Sequence, residues 1–319
     1  MIELHAPSRL HLGMLSFGHA DMRQFGGAGL MIEQPGIQLR LAPAAGFEAA
    51  GPLADRVRAT ADRFAGLTGM SALPPCRIEV VSAPPEHSGL GVGTSLSLSV
   101  VFALRRLLEL PEIPLSELAR LAGRGRRSAV GTYGIESGGL IVEAGKYADE
   151  PLAPRIARVA IPAEWRFVLV ADQAPSGVSG EKEQQAFATL PPVPRNVSAE
   201  LCRELLMEML PAAELGDFER FSASVYRYGL AAGGCFAAAQ GGPFAHAGLG
   251  RLVEKMRSLG VTGVGQTSWG PTLFALLPDE SSARNLVEAL TSETAIARDN
   301  LTITAANNNG VCWRETSET

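Results

Sequence analysis

Cysteine, histidine and charged residues are all sparse in this chain of 319 residues, and their scarcity excludes several classes of protein. The four cysteines form no C-x-x-C pair, and no histidine stands at zinc-finger spacing from them. A disulfide framework and a structural zinc site are therefore not predicted. Charged residues make up 19% of the chain and the formal net charge is −5, so we expect no general affinity for nucleic acid or membrane surfaces.

Long hydrophobic runs are also missing. No stretch of about 18 uncharged apolar residues occurs, which argues against a transmembrane helix. The first residues carry neither the basic nor the apolar region of a secretory signal, and we therefore expect a cytoplasmic protein.

Apolar residues, by contrast, make up 46% of a chain that is long enough for two domains. A proline-rich connection over 149–162 marks the expected boundary between an N-terminal domain (1–160) and a C-terminal domain (161–319). The hydrophobic pattern predicts strands over 2–5, 10–15, 29–32, 37–41, 76–82, 140–143, 167–171, 272–277 and 300–305, and helices over 54–67, 94–108, 115–123, 180–189, 198–210, 217–232, 249–259 and 281–289. The glycine-dense stretch over 123–145 is interpreted as a loop that leads into a strand.

The most informative segment is a glycine-rich loop just before an apolar helix. It contains three glycines at alternate positions, Gly89, Gly91 and Gly93, which let the backbone approach a ligand closely. Thr94 and Ser95 then supply hydroxyl groups where the helix begins. Because a helix N-terminus attracts anions, the loop predicts a phosphate site. Its spacing matches neither the Walker pattern nor the dinucleotide pattern, and a tight strand-to-helix turn explains the loop equally well.

Three motifs follow one another in an informative order. A strand carries Ser8-Arg-Leu-His-Leu-Gly13, the middle loop reads Gly89-Leu-Gly-Val-Gly-Thr-Ser95, and Gly263-Val-Gly-Gln-Thr-Ser-Trp-Gly270 comes late in the chain. This order resembles the GHMP superfamily of galacto-, homoserine, mevalonate and phosphomevalonate kinases over nearly the whole length. The resemblance implies an α+β protein with a two-domain GHMP-kinase-like fold and an active site in the interdomain cleft. There the middle loop wraps phosphates and the third motif closes over the site.

The details of the motifs depart from those of the kinases. The stretch Tyr133-Gly-Ile-Glu136 has glutamate where kinase members carry a catalytic aspartate, and tryptophan in the third motif is unusual for them. The chain is more similar to the β-ribofuranosylaminobenzene 5′-phosphate synthase family of methanopterin biosynthesis. The matching stretches are 8–13, 23–29, 129–134, 179–183 and 265–271.

Members of that family join phosphoribosyl pyrophosphate to p-aminobenzoate or 4-hydroxybenzoate without ATP. The products are a C-riboside 5′-phosphate, pyrophosphate and carbon dioxide. The resemblance therefore implies a decarboxylating phosphoribosyl transferase whose partners are a phosphorylated small molecule and an aromatic acid. It also implies magnesium and a homodimer.

This chemistry needs holders for two anionic groups, and the arginine fork matches phosphate oxygens. Arg9 and Arg23 each lie beside a glycine-rich loop, whereas Arg126 and Arg127 are interpreted as a solvated basic patch. The spacing puts His11 on the same strand face as Arg9. The predicted catalytic residues are Arg9, His11, Arg23, Glu136 and Glu181. The predicted substrate and phosphate ligands are Gly89, Gly91, Gly93, Thr94, Ser95, Lys182, Gln266, Ser268 and Trp269, and the predicted magnesium ligands are Asp21 and Asp172.

Each of these residues also has a purely structural interpretation. His11 fits a core histidine, Trp269 fits packing between domains, and each acidic residue alone fits a surface carboxylate or a helix cap. The alternative function is an ATP-dependent GHMP small-molecule kinase, with ATP on the middle loop and Glu136 in place of the aspartate. A third hypothesis, a non-catalytic sensor of a phosphorylated metabolite, is disfavoured by the intact glycine loops.

Overall fold

The computed structural model describes residues 1–171, 189–267 and 270–315, which form two β-sheets with helices packed against them. The α+β architecture agrees with the prediction. Most strand pairs are antiparallel, and the central hairpin of the first sheet carries the first of the three motifs.

That hairpin consists of β1 (Ile2–Ser16) and β2 (Phe25–Pro43). The sequence predicts four short strands here, in runs broken by glycine, but the structure has two long strands, and Pro7 and Gly13 both lie within β1. The register of the hairpin shifts beside both residues. Such β-bulges accommodate them within one continuous strand.

The first sheet is completed by strands from both ends of the chain. The additional strands are β3 (Glu48–Ala50), β4 (Cys76–Ser82), β5 (Leu140–Glu143), β6 (Arg155–Val159) and β11 (Cys312–Glu315). The strand order is β11-β1-β2-β4-β3, and β5 pairs with both β2 and β6. β6 lies in the stretch that was expected to be a connection. The prolines of that stretch flank a strand that branches off the main strand order and pairs with β5.

Four helices accompany this sheet: α1 (Ala54–Thr68), α2 (Val92–Leu107), α3 (Leu115–Ala122) and α4 (Val130–Ser137). α2 is mostly buried and begins two residues before the predicted start. α4 lies in the glycine-dense stretch that was expected to be a loop. Its Gly131 contacts Thr94 and its Gly134 contacts Met31, so the missing side chains let the helix pack closely.

The second sheet consists of β7 (Arg166–Ala171), β8 (Val264–Gln266), β9 (Thr272–Leu277) and β10 (Leu301–Ala305). Its strand order is β10-β7-β9-β8, and all of its described pairs are antiparallel. The helices are α5 (Arg195–Arg203), α6 (Leu210–Leu215), α7 (Phe218–Gly234), α8 (Ala237–Gln240), α9 (Ala247–Ser258) and α10 (Glu280–Glu293), with a π-helical segment (Glu204–Met209) and a 3₁₀ turn (Arg298–Asn300).

The second half of the chain packs directly on β1. The Tyr228 hydroxyl of α7 donates a hydrogen bond to the Gly13 carbonyl (3.1 Å), and a Cβ on Gly13 would overlap Ala232. Because β11 returns to the first sheet, the two sheets do not divide the chain at one point, and the boundary at residue 160 stays a prediction. Within the described ranges, every helix is too short or too polar to cross a membrane.

Candidate active site

One buried hydroxyl group joins the three sequence motifs. Thr267 Oγ1 accepts a hydrogen bond from the His11 N–H (2.9 Å) and donates one to the Gly89 carbonyl (3.0 Å). The residue has no solvent exposure. Sequence reasoning did not single out Thr267, although it lies in the centre of the third motif.

The middle loop and the third motif are packed backbone to backbone. A Cβ built on Gly270 would lie 2.5 Å from Gly89 Cα, and one on Gly89 would lie 2.5 Å from the Thr267 carbonyl oxygen. Gly89 also has φ +84°, which favours glycine. The close approach of these loops therefore depends on their glycines, and the two loops meet as the resemblance implies.

Arg9 extends from β1 across the start of α2. The backbone N–H of Arg9 donates a hydrogen bond to the Leu90 carbonyl (2.9 Å), which fixes the strand to the loop. A Cβ on Gly91 would lie 3.4 Å from Arg9 Nε, so the guanidinium stem crosses directly over that glycine. The Arg9 side chain thus reaches the N-terminal turn of α2, where the helix dipole also favours an anion.

Glu143, at the end of β5, is a buried carboxylate that sequence reasoning missed. Its Oε1 accepts a hydrogen bond from the Ala129 N–H (3.0 Å) and its Oε2 accepts one from the Gly145 N–H (3.2 Å). Burial raises the pKa of Glu143, while these donors, the Ser128 hydroxyl and the charge of Arg9 oppose the rise. Glu143 therefore positions the segment that carries Ser128 and balances part of the charge of Arg9.

His11 is 3% exposed and lies between this network and the second half of the chain. Its Nε2 is 3.3 Å from Ser128 Oγ. Burial, with a smaller contribution from the charge of Arg9, lowers the pKa of His11 to about 3. The imidazole is therefore neutral at physiological pH and acts through hydrogen bonds rather than through a positive charge.

Arg9, His11 and Thr94 line a common cleft of ≈ 370 Å³. The part of the cleft next to the buried His11, with Arg9 and Ser128, is its inner end. The part lined by 123–127, where Arg126 is exposed, is its outer end, and Arg124, Arg126 and Arg127 form its basic wall. The predicted residues at the inner end thus come together, and the arginines interpreted as a surface patch line the same cleft.

Three predicted residues have carboxylate or arginine partners elsewhere. The Arg23 guanidinium forms two 2.6 Å hydrogen bonds with Glu150, so a carboxylate already fills its fork. Asp21 pairs with Arg195 on the surface at 2.6 Å. Glu136 pairs with Arg155 at 3.1 Å.

Glu136 also lines a different groove, together with Phe102 and Trp313. Glu136 lies in this groove and not in the cleft because it is near the end of α4. With a rise of about 1.5 Å per residue, Glu136 lies about 9 Å along the helix from Val130. The structure therefore does not bring Glu136 together with Arg9 and His11.

Among the other predicted residues, Ser95 and Gln266 make hydrogen bonds to the backbone, and five lie outside the described residues. The Ser95 hydroxyl donates to the Pro7 carbonyl (3.0 Å) and so fastens α2 to β1. The Gln266 side chain accepts a hydrogen bond from the Ala245 N–H (2.7 Å) and, with His11 and Phe244, lines a small cavity of ≈ 40 Å³. Asp172, Glu181, Lys182, Ser268 and Trp269 lie outside the described residues.

The magnesium site stays a prediction, because Asp172 lies outside the described residues. Within the described ranges, no group of three histidine, cysteine or acidic side chains is placed to hold a metal ion. Asp21 is occupied by Arg195, and both oxygens of Glu143 accept backbone hydrogen bonds.

Comparisons with known proteins agree on the fold and on the family. The N-terminal domain of GHMP kinases matches residues 55–139, and the GHMP kinase C-terminal domain matches residues 209–296. Homoserine kinase from Cytophaga hutchinsonii has a similar structure, with a TM-score of 0.69 at 15% identity over 98% of this chain and 97% of that one. Mevalonate diphosphate decarboxylase from Staphylococcus aureus gives a TM-score of 0.65 at 14% identity over 99% of both chains.

Two curated relatives carry the same name, beta-ribofuranosylphenol 5′-phosphate synthase. The protein from Archaeoglobus fulgidus is 30% identical over 86% of this chain and 88% of its own length. The one from Methanothermobacter thermautotrophicus is 29% identical over 87% and 89%. The chain therefore belongs to the GHMP kinase superfamily and, within it, to the enzyme family of the beta-ribofuranosylphenol 5′-phosphate synthases.

Proposed function

We propose that this enzyme transfers the phosphoribosyl group of phosphoribosyl pyrophosphate to an aromatic acid with loss of carbon dioxide. Because the relatives are named for a phenol product, we propose 4-hydroxybenzoate as the preferred acceptor over p-aminobenzoate. The observation that carries the proposal is the charge pattern of the cleft. Its described lining contains Arg9 and the basic wall but no carboxylate.

The bond changes of the proposed transfer are compatible with a cleft lined by arginines. The ring carbon that bears the carboxylate forms a bond to C1 of the ribose, and the bond from C1 to pyrophosphate breaks with its electron pair on the leaving group. The bond to the carboxylate then breaks, carbon dioxide leaves, and its electron pair restores the aromatic ring. Because carbon dioxide departs where a proton would otherwise leave, this exchange needs no general base at the attacked carbon.

The described residues supply what the reaction does need. Arg9 and the basic wall would bind the phosphate groups and stabilise the negative charge that develops on pyrophosphate. The neutral His11 would donate a hydrogen bond to a substrate oxygen without adding a positive charge beside the developing oxocarbenium ion. Magnesium binds pyrophosphate and is therefore kept in the assay as the proposed metal ion.

The proposal is tested by incubating the purified protein with magnesium chloride, phosphoribosyl pyrophosphate and carboxyl-labelled 4-hydroxybenzoate, without ATP. We expect release of labelled carbon dioxide in amounts equal to the pyrophosphate formed. The Arg9→Gln variant should lose about 100-fold or more of this activity, because a charged hydrogen bond to the substrate is removed. Arg58→Gln, an exposed arginine on α1, serves as the control that keeps it.

The ATP-dependent kinase is the alternative that this assay also addresses. A kinase would need a carboxylate at the transferred phosphate, and Glu136 lines a separate groove. ATP turnover on a small alcohol, with no carbon dioxide released from either aromatic acid, would overturn the proposal in favour of the kinase.

A further inference from the structure

Two arginines from separate elements meet at the first turn of α2. Arg56 belongs to α1, whereas Arg124 follows α3 and lies in the basic wall. A Cβ built on Gly93 would lie 2.8 Å from Nη1 of Arg56 and 3.4 Å from Nη2 of Arg124. The absence of a side chain at Gly93 therefore leaves the space into which both guanidinium groups point.

This pair of positive charges is only partly compensated. Arg56 pairs with Glu86 at the surface, and Arg124 Nη2 donates a hydrogen bond to Ser97 Oγ (2.9 Å). Arg124 Nε is buried without a hydrogen-bond partner, and within the described ranges no carboxylate pairs with Arg124. The fold thus holds the side chain in place, while part of its donor capacity and all of its charge stay unmatched by the residues that the structure describes.

The surroundings of Arg124 are unfavourable for a cation. Burial, followed by the charges of Arg56, Arg126 and Arg63, lowers the pKa of Arg124 to about 10. A buried charge without a counter-charge costs stability. Binding of an anion at this point would remove that cost, and the N-terminal dipole of α2 acts in the same direction.

Arg124 lines the same cleft as Arg9 but at its other end, and Arg56 meets Arg124 over Gly93. Arg9 crosses over Gly91 at the inner end, and Arg124 lies over Gly93 near the exposed Arg126 at the outer end. The cleft therefore offers two positions for anionic groups on consecutive glycines of one loop. Two guanidinium groups suit the more highly charged of two ligands.

On the basis of the proposed function, we propose that Arg56 and Arg124 bind the pyrophosphate group over Gly93, while Arg9 binds the 5′-phosphate at the inner end. The leaving group is then at the end of the cleft that opens to solvent, so that it can depart after the transfer. Arg124 is in this assignment a substrate-binding residue that sequence reasoning left out.

The assignment is tested by calorimetric titration of the full-length protein with inorganic pyrophosphate and, separately, with ribose 5-phosphate. Arg124→Gln and Arg56→Gln should each weaken pyrophosphate binding about tenfold or more and change ribose 5-phosphate binding less than about threefold. Arg124→Lys, which keeps a charge without the fork, should be intermediate. Arg58→Gln, on the same helix as Arg56, should change neither.

Thermal unfolding separates this role from a structural one. Because like charges repel around Arg124, unliganded Arg124→Gln should unfold at the same temperature as the wild type or at a higher one. The rise in unfolding temperature that pyrophosphate gives the wild type should be reduced in this variant. A variant that is less stable without ligand, and binds both ligands equally poorly, would overturn the assignment. Unchanged pyrophosphate binding would do the same.

The result is independent of the carbon dioxide assay. If labelled carbon dioxide is not released but pyrophosphate binding depends on Arg124, the proposed function fails and the anion site stands. If carbon dioxide is released and pyrophosphate binding ignores Arg124 and Arg56, the function stands and the arginine assignment fails.

Discussion

At the scale of residues, burial of His11 couples the site to pH. Its pKa falls from an unperturbed 6.5 to about 3 in the fold, so between these values the unfolded chain binds a proton that the folded chain does not. The free energy of unfolding should therefore decrease by up to about 1.4 kcal/mol per pH unit as the pH is lowered from 6.5 toward 3. Urea unfolding of the wild type and His11→Gln, at intervals between pH 4 and pH 8, measures this slope.

The variant isolates the contribution of one imidazole. His11→Gln should lose that part of the slope below pH 6.5, whereas His5→Gln, an exposed histidine on the same strand, should retain it. Parallel pH profiles for the wild type and His11→Gln would show that His11 is not buried in the neutral form.

Sequence reasoning found some of the site residues because they lie within motifs. Thr94 directly follows Gly93 in the glycine-rich loop, and Arg9 and His11 lie in the motif Ser8-Arg-Leu-His-Leu-Gly13. Glu143 resembles any carboxylate at a strand end, and its role depends on Ala129 and Ser128, which only the packing of α4 places beside it. Contacts of this kind join segments that are distant in the chain, so local patterns do not contain them.

At the scale of elements, the contact between the middle loop and the third motif depends on glycine. Gly270→Ala would place a Cβ 2.5 Å from Gly89 Cα and 2.6 Å from its nitrogen, where no flexible side chain can give way. We expect a loss of about 1–3 kcal/mol in the free energy of unfolding, as in other overpacked sites. Because Thr94 of the middle loop lines the cleft and Thr267 of the third motif is hydrogen-bonded to His11, activity should fall as well. Urea unfolding and the carbon dioxide assay measure the two effects.

A glycine in open space gives the matched control. A Cβ at Gly66, inside α1, has nothing within 4 Å, and alanine is favoured over glycine in a helix interior. Gly66→Ala should therefore stabilise the protein by about 0.5–1 kcal/mol with unchanged activity. If Gly66→Ala and Gly270→Ala changed the free energy of unfolding in the same direction, the proposed role of the close approach at Gly270 would be contradicted.

Elements with uninterrupted patterns agree closely with their predictions, and the others show where tertiary packing decides. β4, β5 and β9 have the predicted bounds because their apolar runs end at turn residues. α4 was missed because glycine is unfavourable in an isolated helix. In the fold, its glycines allow contacts with Thr94 and Met31 that side chains would prevent, so packing outweighs propensity.

At the scale of the whole molecule, the charge distribution is uneven. The chain has a net charge of −5, yet Arg9 and the basic wall line a single cleft. An anionic substrate is repelled by much of the molecule and attracted at this place. The composition could not reveal this, because Arg9 on β1, Arg56 on α1 and the basic wall after α3 come together only when these elements pack around α2.

This pattern predicts how ligands stabilise the folded enzyme. At 100 times its Kd, phosphoribosyl pyrophosphate should add about 2.7 kcal/mol to the free energy of unfolding and raise the unfolding temperature. ATP at the same concentration should have a much smaller effect. Raising potassium chloride from about 0.05 M to about 0.5 M should reduce the stabilisation, because ions screen the arginines. Differential scanning calorimetry of the wild type and Arg9→Gln measures these shifts. ATP could instead stabilise the enzyme as much as phosphoribosyl pyrophosphate does, and Arg9→Gln could reduce both effects equally. That result would indicate that the cleft binds a nucleoside triphosphate, as the kinase alternative requires.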